Sequence, residues 1–151
     1  MKFLCDGMLG TLAKWLRIYG FDTFFAGSDI SDKEIIDIAK KQDRVILTRD
    51  KNLVYSARKK LVDVFQIKST NLDDQLSKVL KNYEISEENI LSRCLLCNSI
   101  LQKIDKKEVK VEVPQRVFNS NDKFWFCSKC KKIYWKGSHY DKMIEKMDSL
   151  K

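Results

Sequence analysis

Val45-Ile46-Leu47-Thr48-Arg49-Asp50 is a compact apolar run that stops at a charged pair. Four residues without polar alternation suit a strand buried on both faces, as inside a parallel sheet. Upstream, Lys2–Cys5 reads as a short buried strand ending at Asp6. Residues 8–19 put Leu9, Leu12, Ala13, Leu16 and Tyr19 on one helical stripe, with Gly20 placed to stop it. Residues 21–26 read as a second strand. Ser31-Asp32-Lys33-Glu34 has the form of a capping box and opens a helix that turns Ile35, Ile38 and Ala39 inward. Downstream, residues 51–60 suit a helix and Val62–Ile67 a fourth strand. Leu72, Leu76, Val79, Leu80 and Tyr83 mark a last amphipathic helix. This alternation predicts an α/β fold: an open parallel sheet with helices on both faces and right-handed crossovers.

The period is lost around Glu84–Ser92, which sets expected domains at 1–88 and 89–151. The second part carries expected short strands at Val109–Val113 and Ile133–Trp135, the only proline (Pro114), four cysteines and a basic tail. Cys94-Leu-Leu-Cys97 and Cys127-Ser-Lys-Cys130 are two C-x-x-C pairs separated by 29 residues. Each such turn aims two sulfurs at one point, and four thiolates satisfy tetrahedral zinc. A small β zinc ribbon is the expected module. A redox pair needs one C-x-x-C at a helix start, not two in a β context. Four cysteines leave zinc no open position, so its expected role is structural, a staple for a module with little core. Cys5, in the first strand, reads as a small buried hydrophobe.

Lys and Arg outnumber Asp and Glu by 29 to 21 in 151 residues, a net charge of +8. That balance favours a polyanionic partner, most simply nucleic acid. At 44% hydrophobic residues, a real core is affordable and wholesale disorder is excluded. No apolar run reaches the roughly 20 residues needed to span a membrane. Met1-Lys2-Phe3-Leu4-Cys5-Asp6 shows no signal-peptide hydrophobic stretch, and the expected location is cytoplasmic. In a reducing compartment paired cysteines argue for metal before disulfides.

Ligands of open parallel sheets bind beyond the carboxyl ends of the strands. Asp6 follows the first strand, Asp50 follows the third, and Asp29 and Asp32 lie in the connection after the second. Carboxylates so gathered stay ionised together only if a cation neutralises them, and open oxygen ligands suit Mg²⁺ or Mn²⁺. Lys14, Arg17 and Arg49 are candidates for substrate phosphate, each equally readable as a solvated cation. Phe124, Trp125, Phe126, Tyr134, Trp135 and Tyr140 alternate with Lys123, Lys129, Lys131, Lys132 and Lys136. Such aromatics divide between packing the ribbon and stacking unpaired bases. His139, the single histidine, could act as general acid or phosphate contact, or make an ordinary hydrogen bond.

Asp6-Gly-Met-Leu-Gly-x-Leu-Ala-Lys-Trp-Leu-Arg-x-x-Gly, Leu47-Thr48-Arg49-Asp50, Ser92-Arg93-Cys94-x-x-Cys97-Asn98 and Phe124-Trp125-x-Cys127-x-x-Cys130-x-x-x-Tyr134-Trp135-x-Gly137-Ser138-His139 together resemble the Mut-seven C-terminal RNase family. The resemblance runs from residue 2 to about 143. It implies a PIN-like domain fused to a zinc ribbon and a metal-dependent ribonuclease activity on RNA. Asp6 and Asp50 carry over as metal ligands. Asp32 is the middle acid, with Glu34 or Asp29 in reserve. No fourth acid is assigned, since Asn52 stands where some relatives have Asp, and Asp73 and Asp74 lie too far along the chain. The resemblance also allows a homodimer, common among PIN-like domains. The competing expectation is a non-catalytic protein binding ribosomal or transfer RNA. A phospho-acceptor receiver domain fits poorly, since it leaves the ribbon unexplained.

Overall fold

The computed structural model describes all residues, 1–151. Its first half follows the expected alternation: β1 (Lys2–Cys5), α1 (Gly10–Ile18), β2 (Asp22–Phe25), α2 (Asp32–Gln42), β3 (Val45–Thr48), α3 (Lys51–Lys59), β4 (Val64–Gln66) and α4 (Leu72–Leu80). The four strands form one parallel sheet in the order β2-β1-β3-β4. Alternate residues of a strand face opposite sides, and the core records this directly. Phe3, Cys5 and Leu47 pack with Leu12, Leu16, Leu76 and Val79 of α1 and α4. Leu4 and Ile46 pack on the other face with Ile35, Ala39, Leu53 and Ala57 of α2 and α3. All four residues of β3 are buried. No helix is long and apolar enough to cross a membrane.

Local chemistry sets the ends of these elements. The Ser31 hydroxyl accepts the Glu34 amide at 3.2 Å, and Asn71 does the same for Asp74 at 3.1 Å, so both helices have N-caps. Gly20 ends α1 with φ +91, and a Cβ there would lie 2.3 Å from the Asn89 carbonyl oxygen. Glycine is therefore required twice, by the backbone and by the segment docked on it.

A single-turn 3-10 helix (Glu87–Asn89) leads into the second half: β5 (Gln102–Ile104), α5 (Gln115–Ser120), β6 (Phe124–Phe126), β7 (Ile133–Tyr134) and α6 (Ser138–Leu150). Strands β5-β6-β7 form a small antiparallel sheet. The expected strand at Val109–Val113 is absent. Val109 and Val113 are buried with Phe124 in a small core of their own, while Val111 is 90% exposed. Their period of two comes from an irregular turn, and the ladder uses Gln102–Ile104 instead. The basic tail is likewise a docked helix. Tyr140, Met143, Ile144, Met147 and Leu150 recur at helical spacing and pack on the cluster that includes Phe3 and Leu16. Lys146 reaches Asp73 at 2.5 Å across that contact. The same cluster contains Leu91, Cys94, Leu101, Cys127 and Tyr134, so both halves share one core.

Candidate active site and metal centre

The carboxyl ends of β1 and β3 lie side by side, with Cys5 paired to Leu47. The residue that follows β1 is Asp6, only 6% exposed. Its backbone N–H donates to the Leu47 carbonyl at 3.3 Å, and one carboxylate oxygen accepts the Met8 amide at 3.1 Å. The other carboxylate oxygen receives the Thr48 hydroxyl in a short contact. That same hydroxyl accepts the Asp50 amide at 3.0 Å. Thr48 thus bridges two of the expected acids, a role the sequence reading missed. Its signal was a hydroxyl at the end of an otherwise aliphatic buried strand. Asp50 caps α3, its carboxylate accepting the Asn52 amide at 2.8 Å.

Asp32 opens α2. Burial, then the negative charges of Asp50 and Asp6, hold its carboxyl above the ordinary aspartate value. Asp32 is itself exposed, and the charges of Asp50 and Asp6 reach it from the neighbouring strand ends. Asp29 and Glu34, the reserves, are exposed and take no part in that shift. Backbone contact draws the loops together: a Cβ on Gly7 would lie 2.7 Å from the Gly27 carbonyl oxygen. The acids are not as close as the sulfurs described below. The cysteines are the single group of three or more potential ligands whose donor atoms all lie within 4.8 Å.

The expected cations separate. Lys14 is exposed and lines a cleft of about 320 Å³ between α1 and the first cysteine turn, with Phe25 and Leu96. Arg49 is half-buried, and its Nε is buried with no protein partner. Arg17 also lines the cleft beside Lys14, but it is only 7% exposed, so it is not the solvated cation that was the alternative expectation for it. Its guanidinium donates to the Thr23 carbonyl at 3.0 Å and the Leu95 carbonyl at 2.7 Å. The α1 face that carries it is covered by the cysteine turn, which α1's own pattern does not reveal. His139 is exposed at the start of α6 and lines a groove on the C-terminal half.

The two C-x-x-C turns share one backbone shape. Asn98 and Lys131, each following the second cysteine, are left-handed at φ +70 and +59. Their amides donate to the Cys94 and Cys127 carbonyls at 2.9 and 2.8 Å. The Cys94 and Cys127 amides in turn donate to the Ser99 and Lys132 carbonyls at 2.9 and 3.0 Å. These matched turns bring the four sulfurs together, with Cys97 and Cys127 at 3.5 Å. Burial opposes ionisation of Cys97, but hydrogen bonds from Ser99 and Cys127 override it and bring the thiol down to about 6. Its neighbours, Cys97 first, push Cys130 up to about 12. The Tyr134 hydroxyl lies 3.2 Å from the Cys94 sulfur and accepts the Leu95 amide at 3.2 Å, a supporting contact the sequence reading missed. The cluster could hold one metal ion, and its all-sulfur donor set is consistent with zinc. Cys5 is fully buried, and burial raises its thiol pKa, as suits a packing residue.

A family model described as the Mut7-C RNAse domain matches residues 1–147. The chain is also similar to the human protein named exonuclease mut-7 homolog, 30% identical over 105 residues. That alignment takes in 64% of this chain and 12% of the human protein, so the chain spans a small part of that relative. No solved structure matches the chain.

Proposed function

The chain belongs to the Mut7-C RNase domain family, and on that ground we propose that it is a metal-dependent ribonuclease hydrolysing RNA phosphodiester bonds. In this reading residues 1–88 form a PIN-like nuclease unit and residues 89–151 a zinc ribbon that assists RNA binding. Asp6, Asp32 and Asp50 hold Mg²⁺ or Mn²⁺, and Cys94, Cys97, Cys127 and Cys130 hold a structural zinc. The observation that most supports it is the Thr48 hydroxyl, which joins the Asp6 carboxylate to the Asp50 amide and so sets the acids that follow β1 and β3 side by side. Like charges gathered on one edge suit a cation between them. A divalent ion there would polarise a phosphodiester and lower the pKa of bound water. Thr48 holds Asp6 and the start of α3 in fixed relation, and in this reading Arg49 and Lys14 are the phosphate contacts.

Cleavage of end-labelled single-stranded and hairpin RNA, with Mn²⁺, with Mg²⁺ or with neither, tests the reading. Metal-dependent cleavage that disappears in both Asp6→Asn and Asp50→Asn is the expected result. Tight RNA binding without cleavage under any condition sinks it and favours a non-catalytic RNA-binding protein.

A further inference from the structure

Nearly all of the net charge lies in the second half. Residues 89–151 hold 14 of the 29 Lys and Arg but 7 of the 21 Asp and Glu, leaving +7 of the total +8 there. In that half a groove of about 760 Å³ runs between α5, β7 and the first turns of α6. Its volume falls in the range of built ligand sites, ~300–1,000 Å³. Arg116, Lys132 and Lys136 line it and are all exposed, while Asp141 is its single acid. Aromatic surface is continuous with those cations. Lys132 lies 5.4 Å over the Tyr134 ring and Lys136 4.9 Å over the Tyr140 ring. Trp135 is half-buried and fixed from two sides, by Phe124 at 6.4 Å between centroids and by the Gly137 backbone.

We propose that this groove is a binding site for single-stranded RNA, separate from the acids, in which bases stack on Trp135 and Tyr140 while Arg116, Lys132 and Lys136 contact phosphates. The proposal rests on the ribonuclease reading only for the identity of the polymer. The combination is what a single strand requires: faces that accept any base, and cations spaced along a groove that tracks the backbone. A duplex hides its base faces and has no use for fixed aromatics.

The test is binding of a fluorescent ten-nucleotide RNA by the zinc-loaded full chain, without added Mg²⁺ or Mn²⁺, over a range of salt. The exposed triple variant Arg116→Gln, Lys132→Gln, Lys136→Gln is compared with a control of equal charge change, Lys40→Gln, Lys41→Gln, Lys60→Gln. The groove triple is expected to weaken binding at least tenfold and to flatten the log–log salt slope by about 2, three single-strand contacts at ~0.7 each. The control changes affinity less than threefold. Trp135→Leu, checked for a native circular dichroism spectrum, weakens binding with the salt slope kept, since stacking carries no charge. Equal effects of the two triples, or competition by duplex RNA or heparin as effective as by single strands, overturns the proposal, as does failure of the wild type to bind. The two readings separate cleanly. Groove-dependent binding with no cleavage by wild type leaves the groove and removes the nuclease. Cleavage lost in Asp6→Asn, with the groove triple binding like wild type, does the reverse.

Discussion

The guanidinium of Arg17 in α1 donates to the carbonyl of Leu95, inside the first cysteine turn, at 2.7 Å. With its second bond, to Thr23, it ties the helix that follows Asp6 to the sulfur cluster. The charge serves the joint between the two halves and not the solvent.

Arg17→Met keeps the aliphatic stem and removes both bonds, leaving two carbonyls to find other partners. We expect a loss of about 2–3 kcal/mol, the scale for charged hydrogen bonds lost from a buried site, read as a lower urea midpoint. RNA affinity of the folded variant should be unchanged. Weaker RNA binding at unaltered stability would return Arg17 to the phosphate role.

Asp22 completes the same joint. Burial works against its ionisation, but the Asn98 hydrogen bond, the Arg44 bond at 2.7 Å and the nearby Arg93 charge outweigh it and lower its pKa. A depressed folded-state value means the stabilisation is whole above the ordinary aspartate pKa of ~3.9 and fades as pH falls through the lowered one. The difference in urea midpoint between wild type and Asp22→Asn should therefore be constant from pH 7 to about 5 and shrink in more acid solution. A difference that grows on acidification would contradict this.

Thr48→Val is close to isosteric and deletes the hydroxyl shared by Asp6 and the Asp50 amide. We expect about 1–3 kcal/mol lower stability, from polar groups left without a partner, and at least tenfold weaker Mn²⁺ binding by titration calorimetry. Thr48→Ser should restore most of both. Full metal affinity in the valine variant would show that the bridge does not position the acids.

One zinc per chain is expected by elemental analysis, and its removal should not stop at the ribbon. Cys94, Cys127 and Tyr134 belong to the core cluster that holds Phe3, Leu16 and Leu76. Chelation at neutral pH, or Cys94→Ser, should lower the melting temperature of the whole chain in one cooperative step, followed by far-ultraviolet circular dichroism. A separate early transition, with the parallel sheet melting at its original temperature, would show two independent units.

Gly20→Ala meets a positive φ and the Asn89 carbonyl together. A loss of more than about 2 kcal/mol is expected, beyond that of a left-handed backbone alone. A thermal shift below two degrees would mean the 87–89 segment moves aside freely.

Much of the first half was legible because its signals are local. Val45–Leu47 is apolar without interruption, Ser31 and Glu34 stand at capping distance, and the first and third strands run into Asp6 and Arg49-Asp50. The cysteine turns were equally plain, since ligand spacing is written in the chain itself. Val109, Val111 and Val113 misled because alternation of two is shared by strands and by turns that bury every other residue. The stripe from Tyr140 to Leu150 lay unread among lysines, whose long polar side chains dilute a helical pattern.

By itself, then, the sequence determined the order of strands and helices in the first half, the four cysteines that come together and the acids that follow β1 and β3. Each depends on residue type and short spacing. Only the tertiary structure decided that Arg17 is a buried tie, that Thr48 links Asp6 to Asp50, and that Tyr134 supports Cys94. It also decided that α6 closes over α1 and α4. These partners lie far apart along the chain, and nothing in a residue's neighbours states which distant surface will cover it. Desolvation then turns the same arginine or threonine from a surface group into a structural one, because a buried polar atom must find its partner wherever the fold brings one.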